Sequence, residues 1–553
     1  MFIRKLAIAT LLVASIGVAL SNFATAADSP AAMAAKVDQL LRQEVPFANA
    51  AKAPPAPIND EQFLRRVSLD IVGRLPTPEE VTAFAFDPAA DKRAKIVTKL
   101  LGDSRFGENW GRYWRDVIMY RKTEERQQFL VGLPLESYLA DSINQNKPWS
   151  QLATEFITAT GNANENGACG LIVAQQGQPE EIVGEVSRIF LGVQIQCAQC
   201  HDHPTDRWTR EQFHQLAAFF PRVSTRPNGR PMAGMPLREL LVAVMDQSAP
   251  LGMRRPMNNM RFFGTLEHHM SDPKNPQSEG RLMQPVLFAT GNSLPIGTRD
   301  AERRGSLAQW ITAKDNPYFA KAFVNRMWAE LTGEGFYEPI DDIGPDRTAT
   351  APKTLDYLAG EFAASGYDVK WLLSVITATQ MYQLPSAPRR GPEEPPMQHN
   401  VAQRLRADQV FDNVLLVLKA SEPAPPGGGM GGLGARFAGG PRRKFTTTFG
   451  YDPSSRRDEV QSSIPQSLTM MNDPIVVSGL RGTGNTMLAR KLATIKDDAS
   501  LVQELYLRVL GREASQSELT TCLQFVKEVN NRTEAFEDVL WSLVNCAEFL
   551  HRS

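Results

Sequence analysis

The residues best equipped for chemistry lie together in Gln196-Cys197-Ala198-Gln199-Cys200-His201-Asp202-His203-Pro204. Two thiols separated by two residues can each add to one vinyl group on a porphyrin edge. The imidazole that follows the second thiol then reaches the iron as its proximal axial ligand. The pattern points to covalent haem c, with Cys197 and Cys200 as thioethers and His201 on the metal. Two other readings stand beside it. Cys197, Cys200 and His203 offer donors to a non-haem zinc or iron, packed more tightly than the usual zinc spacings. Alternatively the thiols form a disulfide, or the imidazoles brace a turn.

A haem iron needs a second axial ligand or an open position. His203, two residues from His201, falls on the same face of the porphyrin, so the opposite side would be served by His214, His268, His269 or a methionine. Met232, Met235, Met245, Met253, Met257, Met260, Met270 and Met283 place eight of the 18 methionines in 52 residues. A thioether ligand would raise the potential relative to a second histidine. His268-His269-Met270 would also suit copper, because thioethers select Cu(I); adaptable packing accounts for a methionine cluster as well. Around His201 the further candidate metal ligands are therefore His203, His214, His268, His269 and Met270. No catalytic residue is assigned. Adjacent carboxylates such as Asp341-Asp342 rarely aim at one atom and suit a turn, and no Gly-x-Ser-x-Gly, Walker, dinucleotide or His-Glu-x-x-His motif occurs.

The motif takes its meaning from the compartment. Arg4 and Lys5, an apolar run from Leu6 to Leu20, and Ala24-Thr25-Ala26 read as a secretory signal peptide over residues 1–26. No cysteine follows the run, so no lipoprotein anchor is expected. No later apolar stretch approaches a membrane span, so the mature chain is expected to be soluble, in the periplasm or on the cell surface, with a periplasmic redox partner. Haem is attached covalently outside the bacterial cytoplasm, which agrees with export. The formal charge of −1, from 60 basic and 61 acidic residues, supports no nucleic-acid footprint. Five cysteines are too few for a disulfide scaffold, and spacing leaves a Cys522–Cys546 bridge open.

The elements that must position the motif are mostly helices. Ala31 to Leu41 reads as helical and Ala50 to Pro57 as a linker. A helix from Asn59 carries Phe63, Leu64, Val67 and Ile71 on one face and stops at Gly73; Thr77-Pro78-Glu79-Glu80 opens the next. Trp110, Tyr113 and Trp114 mark a core helix over Phe106 to Tyr120. Ile182, Val186, Ile189, Phe190 and Val193 form one apolar stripe that leads into the motif and places Cys197 at a helix end. Thr209-Arg210-Glu211-Gln212 opens a short helix beyond it. From Arg222 to Thr298 periodicity weakens; it resumes from Arg303 through Leu372 and again from Leu501 to Leu550. One corner is used twice: Val72-Gly73-Arg74 with Thr77 and Glu80, then Leu510-Gly511-Arg512 with Ser515 and Glu518. The expectation is a mainly α-helical, multi-lobed fold with an irregular Met/Pro/Gly-rich middle that leaves room for short strands.

The stretch Phe190-Leu191-Gly192-Val193-Gln194-Ile195-Gln196 with the Cys-x-x-Cys-His-Asp-His-Pro that follows resembles the planctomycete family of exported proteins known as domain of unknown function 1549. Arg303-Arg304-Gly305-Ser306-Leu307-Ala308-Gln309-Trp310, Val324-Asn325-Arg326-Met327-Trp328, Glu338-Pro339-Ile340-Asp341-Asp342 and Pro465-Gln466-Ser467-Leu468 are similar to its usual companion, domain of unknown function 1553. The resemblance implies export and company with cytochrome c modules, and no established activity. It divides the chain into a signal peptide (1–26), an N-terminal helix and linker (27–58), the first domain (59–265), a connector (266–300) and the second domain (301–553) with a low-complexity loop at 421–444.

Overall fold

The computed structural model describes residues 29–48, 55–120, 125–227, 240–244, 267–275, 277–389, 391, 395–422, 440–460 and 462–552. The signal peptide, most of the 50–57 linker and most of the 421–444 loop lie outside them, as do Met232, Met235, Met245, Met253, Met257 and Met260.

The fold is mainly α-helical. Helices α1 (Pro30–Glu44), α2 (Asp60–Val72), α3 (Pro78–Phe86), α4 (Lys92–Leu101), α5 (Ser104–Met119), α6 (Glu125–Asn144) and α7 (Trp149–Thr158) are followed by α8 (Gly170–Ala174) and α9 (Pro179–Val186). Beyond the cysteine motif come α10 (Arg210–Ala217), α11 (Asp300–Ile311), α12 (Phe319–Thr332), α13 (Pro352–Ala364), α14 (Val369–Ala378), α15 (Gln380–Gln383) and α16 (Ala407–Leu418). Beyond α16 the C-terminal part is mainly helical among its described residues, with Pro441–Phe449, Ile464–Asn472, Pro474–Gly479, Met487–Thr494, Asp498–Leu510, Gln516–Val529 and Arg532–Asn545. The middle segment supplies two strands that pair with one from between α7 and α8: β1 (Gly161–Asn162), β2 (Val223–Pro227) and β3 (Leu240–Val244) form an antiparallel sheet in the order β1-β3-β2. A small ribbon pairs β4 (His269–Met270) with β5 (Arg281–Leu282).

The helix boundaries follow the local chemistry. Asn59 and Gln62, Thr77 and Glu80, and Thr209 and Gln212 close reciprocal capping boxes at α2, α3 and α10. The repeated corner is real in three dimensions. Gly73 (φ 71°) and Gly511 (φ 68°) both adopt the left-handed conformation that a side chain resists, and Thr77 and Ser515 cap the helices that follow.

Two hydrophobic clusters divide the interior at about residue 400 rather than between the two expected domains. One runs from Met33 through Trp114, Phe190, Phe213, Phe323 and Leu373 to Met397. The other unites Leu69 and Leu75 of the α2–α3 corner with residues from Leu405 to Phe549.

Helix C-termini leave carbonyls without intrahelical partners, and those partners come from far along the chain. Arg304 donates to the Ile157 and Ala159 carbonyls after α7, Arg303 to Ala218 after α10, and Arg65 to Leu510 before the second corner. Asn109 donates to the Asp70 and Ile71 carbonyls at the end of α2. Arg552 donates to the Leu331 carbonyl of α12, to Asn400 at 2.7 Å and to the Asp70 carboxylate at 2.7 Å. A cation there also meets the negative end of the helix dipole.

Asp70 and Arg552 are both buried, so removing one partner strands the other charge. Arg552→Met should cost roughly 3–5 kcal/mol in chemical denaturation, and adding Asp70→Asn should recover part of that loss.

Candidate functional site

The approach to the cysteines departs from a plain helix. After α9 the backbone takes one turn of π-helix, Ser187–Leu191, and Gly192 (φ 65°) ends it. The residues of the apolar stripe, Ile182, Val186, Ile189, Phe190 and Val193, are all buried. Cys197 does not sit at that helix end. It lies on a separate 3₁₀ turn, Ile195–Gln199, because the left-handed Gly192 redirects the chain before the motif begins.

Cys197 and Cys200 are exposed free thiols, and His201 is exposed beside them. The His201 Nδ1–H donates to the Asp202 carbonyl oxygen at 2.7 Å, which places the lone pair on Nε2. The Asp202 carboxylate is spent elsewhere, accepting the Arg210 N–H at 2.8 Å at the start of α10. His203 is half-buried; its backbone N–H donates to the Trp208 carbonyl (2.8 Å) and its Nδ1 accepts from the Thr205 N–H (3.3 Å). Among the described residues, no group of three or more His, Cys, Asp or Glu side chains is disposed to hold a metal ion.

The remaining histidines fall into place behind the turn. His214 on α10 is buried; its Nε2–H donates to the Gln199 carbonyl (3.1 Å), so its Nδ1 accepts from His268 Nε2–H at 2.9 Å. The two rings stack with centroids 5.1 Å apart, and His268 Nδ1 stands 3.9 Å from Glu180. His214 thus commits both ring nitrogens to protein groups. Burial lowers both imidazoles to about 4: for His214 the neighbouring His268 adds to it, for His268 the neighbouring His269. His269 is exposed and Met270 half-buried on β4, while Met283 is buried with its N–H on the His268 carbonyl (2.9 Å). His268-His269-Met270 therefore splits, one residue facing inward and its neighbour outward, as a strand requires.

The chain on both sides of the motif docks on the segment 338–347. The Gly192 carbonyl accepts the Ile343 N–H (2.8 Å), Arg207 donates to the Pro345 carbonyl (3.0 Å) and pairs with Asp346 (2.8 Å), and Arg347 donates to Thr205 (3.1 Å). The approach is close: a Cβ at Gly344 would meet the Asp206 carboxylate at 1.7 Å and force that side chain to move. Asp341 and Asp342 lie in a turn and face different ways. Asp342 pairs with Arg347 at 2.9 Å. Asp341 is buried between Arg326 and Arg188, with a hydroxyl hydrogen bond from Ser454 (2.7 Å). Burial pushes its carboxyl up, and the two guanidiniums outweigh burial and hold it below its ordinary value. The pair forms a turn, as its residue types suggest, but nothing in the sequence marked the burial of Asp341 against Arg188 and Arg326.

The chain matches two families, each along one half. Residues 36–225 match PSCyt2, a protein of unknown function (DUF1549), and residues 303–431 and 442–526 match PSD1, a protein of unknown function (DUF1553). The chain has the paired PSCyt2–PSD1 architecture. The cysteine turn belongs to the PSCyt2 part and the 338–347 segment to the PSD1 part, so the site loop is seated across the two. No curated protein and no solved structure matches the chain. Cys522 and Cys546 of the C-terminal helices are unbridged thiols.

A histidine with a depressed folded value binds its proton more readily in the unfolded chain. The neutral His214–His268 pair therefore contributes fully above the ordinary value of 6.5 and loses its contribution as pH falls toward about 4. The protection factors of residues 195–215, taken against the intrinsic exchange rate at each pH, should fall as pH is lowered across that window, and His214→Gln should flatten the pH dependence.

Proposed function

We propose that the protein is an exported c-type haem protein that passes electrons in the periplasm or at the cell surface. The observation that carries this reading is the set of three groups on one exposed turn. Two unbridged thiols stand three positions apart, and an imidazole is fixed by the Asp202 carbonyl with Nε2 left to bind. That donor set suits haem c: Cys197 and Cys200 would hold the porphyrin edge and His201 the iron. The name PSCyt2 of the matched family, and the signal-peptide pattern of residues 1–26, support the same reading.

When bound, the haem supplies a one-electron carrier whose potential is set by its axial ligands and its surroundings. The protein's part is positioning. The 3₁₀ turn carries Cys197, and Cys200 follows as its cap residue, both exposed. The Asp202 carbonyl accepts the Nδ1 proton and so fixes the ring with its Nε2 lone pair available. The Gln199 carbonyl is held on His214, which ties the turn to α10. His214, with both nitrogens committed, is a brace in this arrangement, and the exposed His269 and the half-buried Met270 would be candidates for a second iron ligand.

Export of the full chain from a host with a working cytochrome c maturation system should give a coloured protein whose Soret band survives acid–acetone extraction. Cys197→Ser/Cys200→Ser should abolish the colour. His201→Ala should retain attached haem and shift its spectrum. A colourless wild-type protein with stoichiometric zinc or copper would replace this reading with a non-haem metal site.

A further inference from the structure

The repeated corner carries the observation. At its second copy, Arg512 follows the left-handed Gly511 and forks onto two carboxylates: Nη2 to Glu518 at 2.8 Å and Nε to Glu548 at 2.7 Å. At its first copy, Arg74 follows Gly73 in the same way, yet it makes no hydrogen bond or ion pair among the described residues. The acid that feels its charge, Asp103, is already paired with Arg105 at 2.6 Å. Glu80 accepts the Thr77 backbone N–H at 3.0 Å just as Glu518 accepts that of Ser515 at 2.8 Å, but unlike Glu518 it takes no hydrogen bond from the corner arginine.

In place of a carboxylate partner, Arg74 faces space. It lines a cavity of about 470 Å³ between the α2–α3 corner and the end of α16, and a second of about 210 Å³ on its other side. The larger volume lies within the range of small-molecule sites. Its wall adds three further cations: Lys419; Arg442, which also pairs with Glu422 at 3.0 Å; and Arg508, which is paired with Glu504 at 2.5 Å. Lys419 is exposed in a left-handed conformation after α16, and Arg442 keeps a buried Nη1 without a partner among the described residues. Two acids line the same cavity. Asp412 is shared between Arg112 (2.6 Å) and Arg442 (2.7 Å), which leaves the exposed Glu79 as the one acid of the wall outside an ion pair among the described residues. Pro76, Leu415 and Leu416 supply an apolar side.

We infer that this cavity binds a small organic oxyanion, with the anionic group on Arg74, Lys419 and Arg442 and the carbon body against Pro76, Leu415 and Leu416. A planar guanidinium favours phosphate, sulfate and carboxylate groups, which it can grip with two parallel hydrogen bonds. The ligand takes the place that Glu518 and Glu548 fill at the other corner. The site lies across the PSCyt2 and PSD1 parts and is separate from the cysteine turn.

Isothermal titration of the full chain with phenyl phosphate, benzoate and inorganic phosphate tests this. Saturable binding of at least one aryl anion, tighter than inorganic phosphate and weakened at least about tenfold in Arg74→Gln, is expected. Lys419→Gln should weaken it as well, and added salt should do the same. Arg74→Gln should keep the wild-type melting temperature, since the side chain it removes has no protein partner here; should it fail to fold, Lys419→Gln, an exposed position, decides. No saturable binding, equal affinity for inorganic phosphate, or an affinity unchanged in the deciding variant would overturn the inference.

Discussion

A single buried carboxylate, Asp341, fixes the relation of the cysteine turn to the rest of the molecule. A charge removed from water is tolerated only when opposite charge and hydrogen bonds surround it, and here they come from three distant parts of the chain. Arg188 belongs to the turn of π-helix that leads to the motif, Arg326 to α12, and Ser454 to a loop of the C-terminal part. Satisfying Asp341 holds those elements in one arrangement. The contacts that seat the site loop, Gly192 on Ile343 and Arg207 and Arg347 on either side, lie within a few residues of it.

The same logic recurs through the fold. Arginines enter the interior to satisfy the carbonyl ends of helices they do not belong to, as Arg303, Arg304, Arg65 and Arg552 do. A guanidinium suits this task because its five donors form a rigid fork and its charge opposes the helix dipole. The two hydrophobic clusters are therefore joined by directed contacts as well as by apolar packing. Asp70 is the clearest link: it sits on α2, and its partners are Tyr382 before residue 400 and Arg552 near the end of the chain.

The local level of this structure was legible in the sequence. Capping boxes, the stop at Gly73, the apolar stripe before the motif and the repeated corner all depend on residues within one turn of each other. The weak periodicity after Arg222 correctly marked a region of short strands. What could not be read were pairings across long separations: Arg188 with Asp341, His214 with His268, Asp206 against Gly344. Each depends on which elements meet, and neither spacing nor residue type records that. The cysteine turn shows the limit well. The stripe pointed to a helix running into Cys197, whereas a left-handed glycine and two residues outside any helix, Val193 and Gln194, separate the two. The histidines were named as candidate ligands, and the one closest behind the turn, His214, is engaged at both nitrogens.

The most direct test of the account is the mass of one peptide. Trypsin should release Ile189–Arg207, which holds both Cys197 and Cys200, from protein exported with cytochrome c maturation and then fully denatured. The account predicts that this peptide carries one haem, attached through both sulfurs. The bare peptide with two titratable thiols, recovered from folded and correctly exported protein, would contradict it.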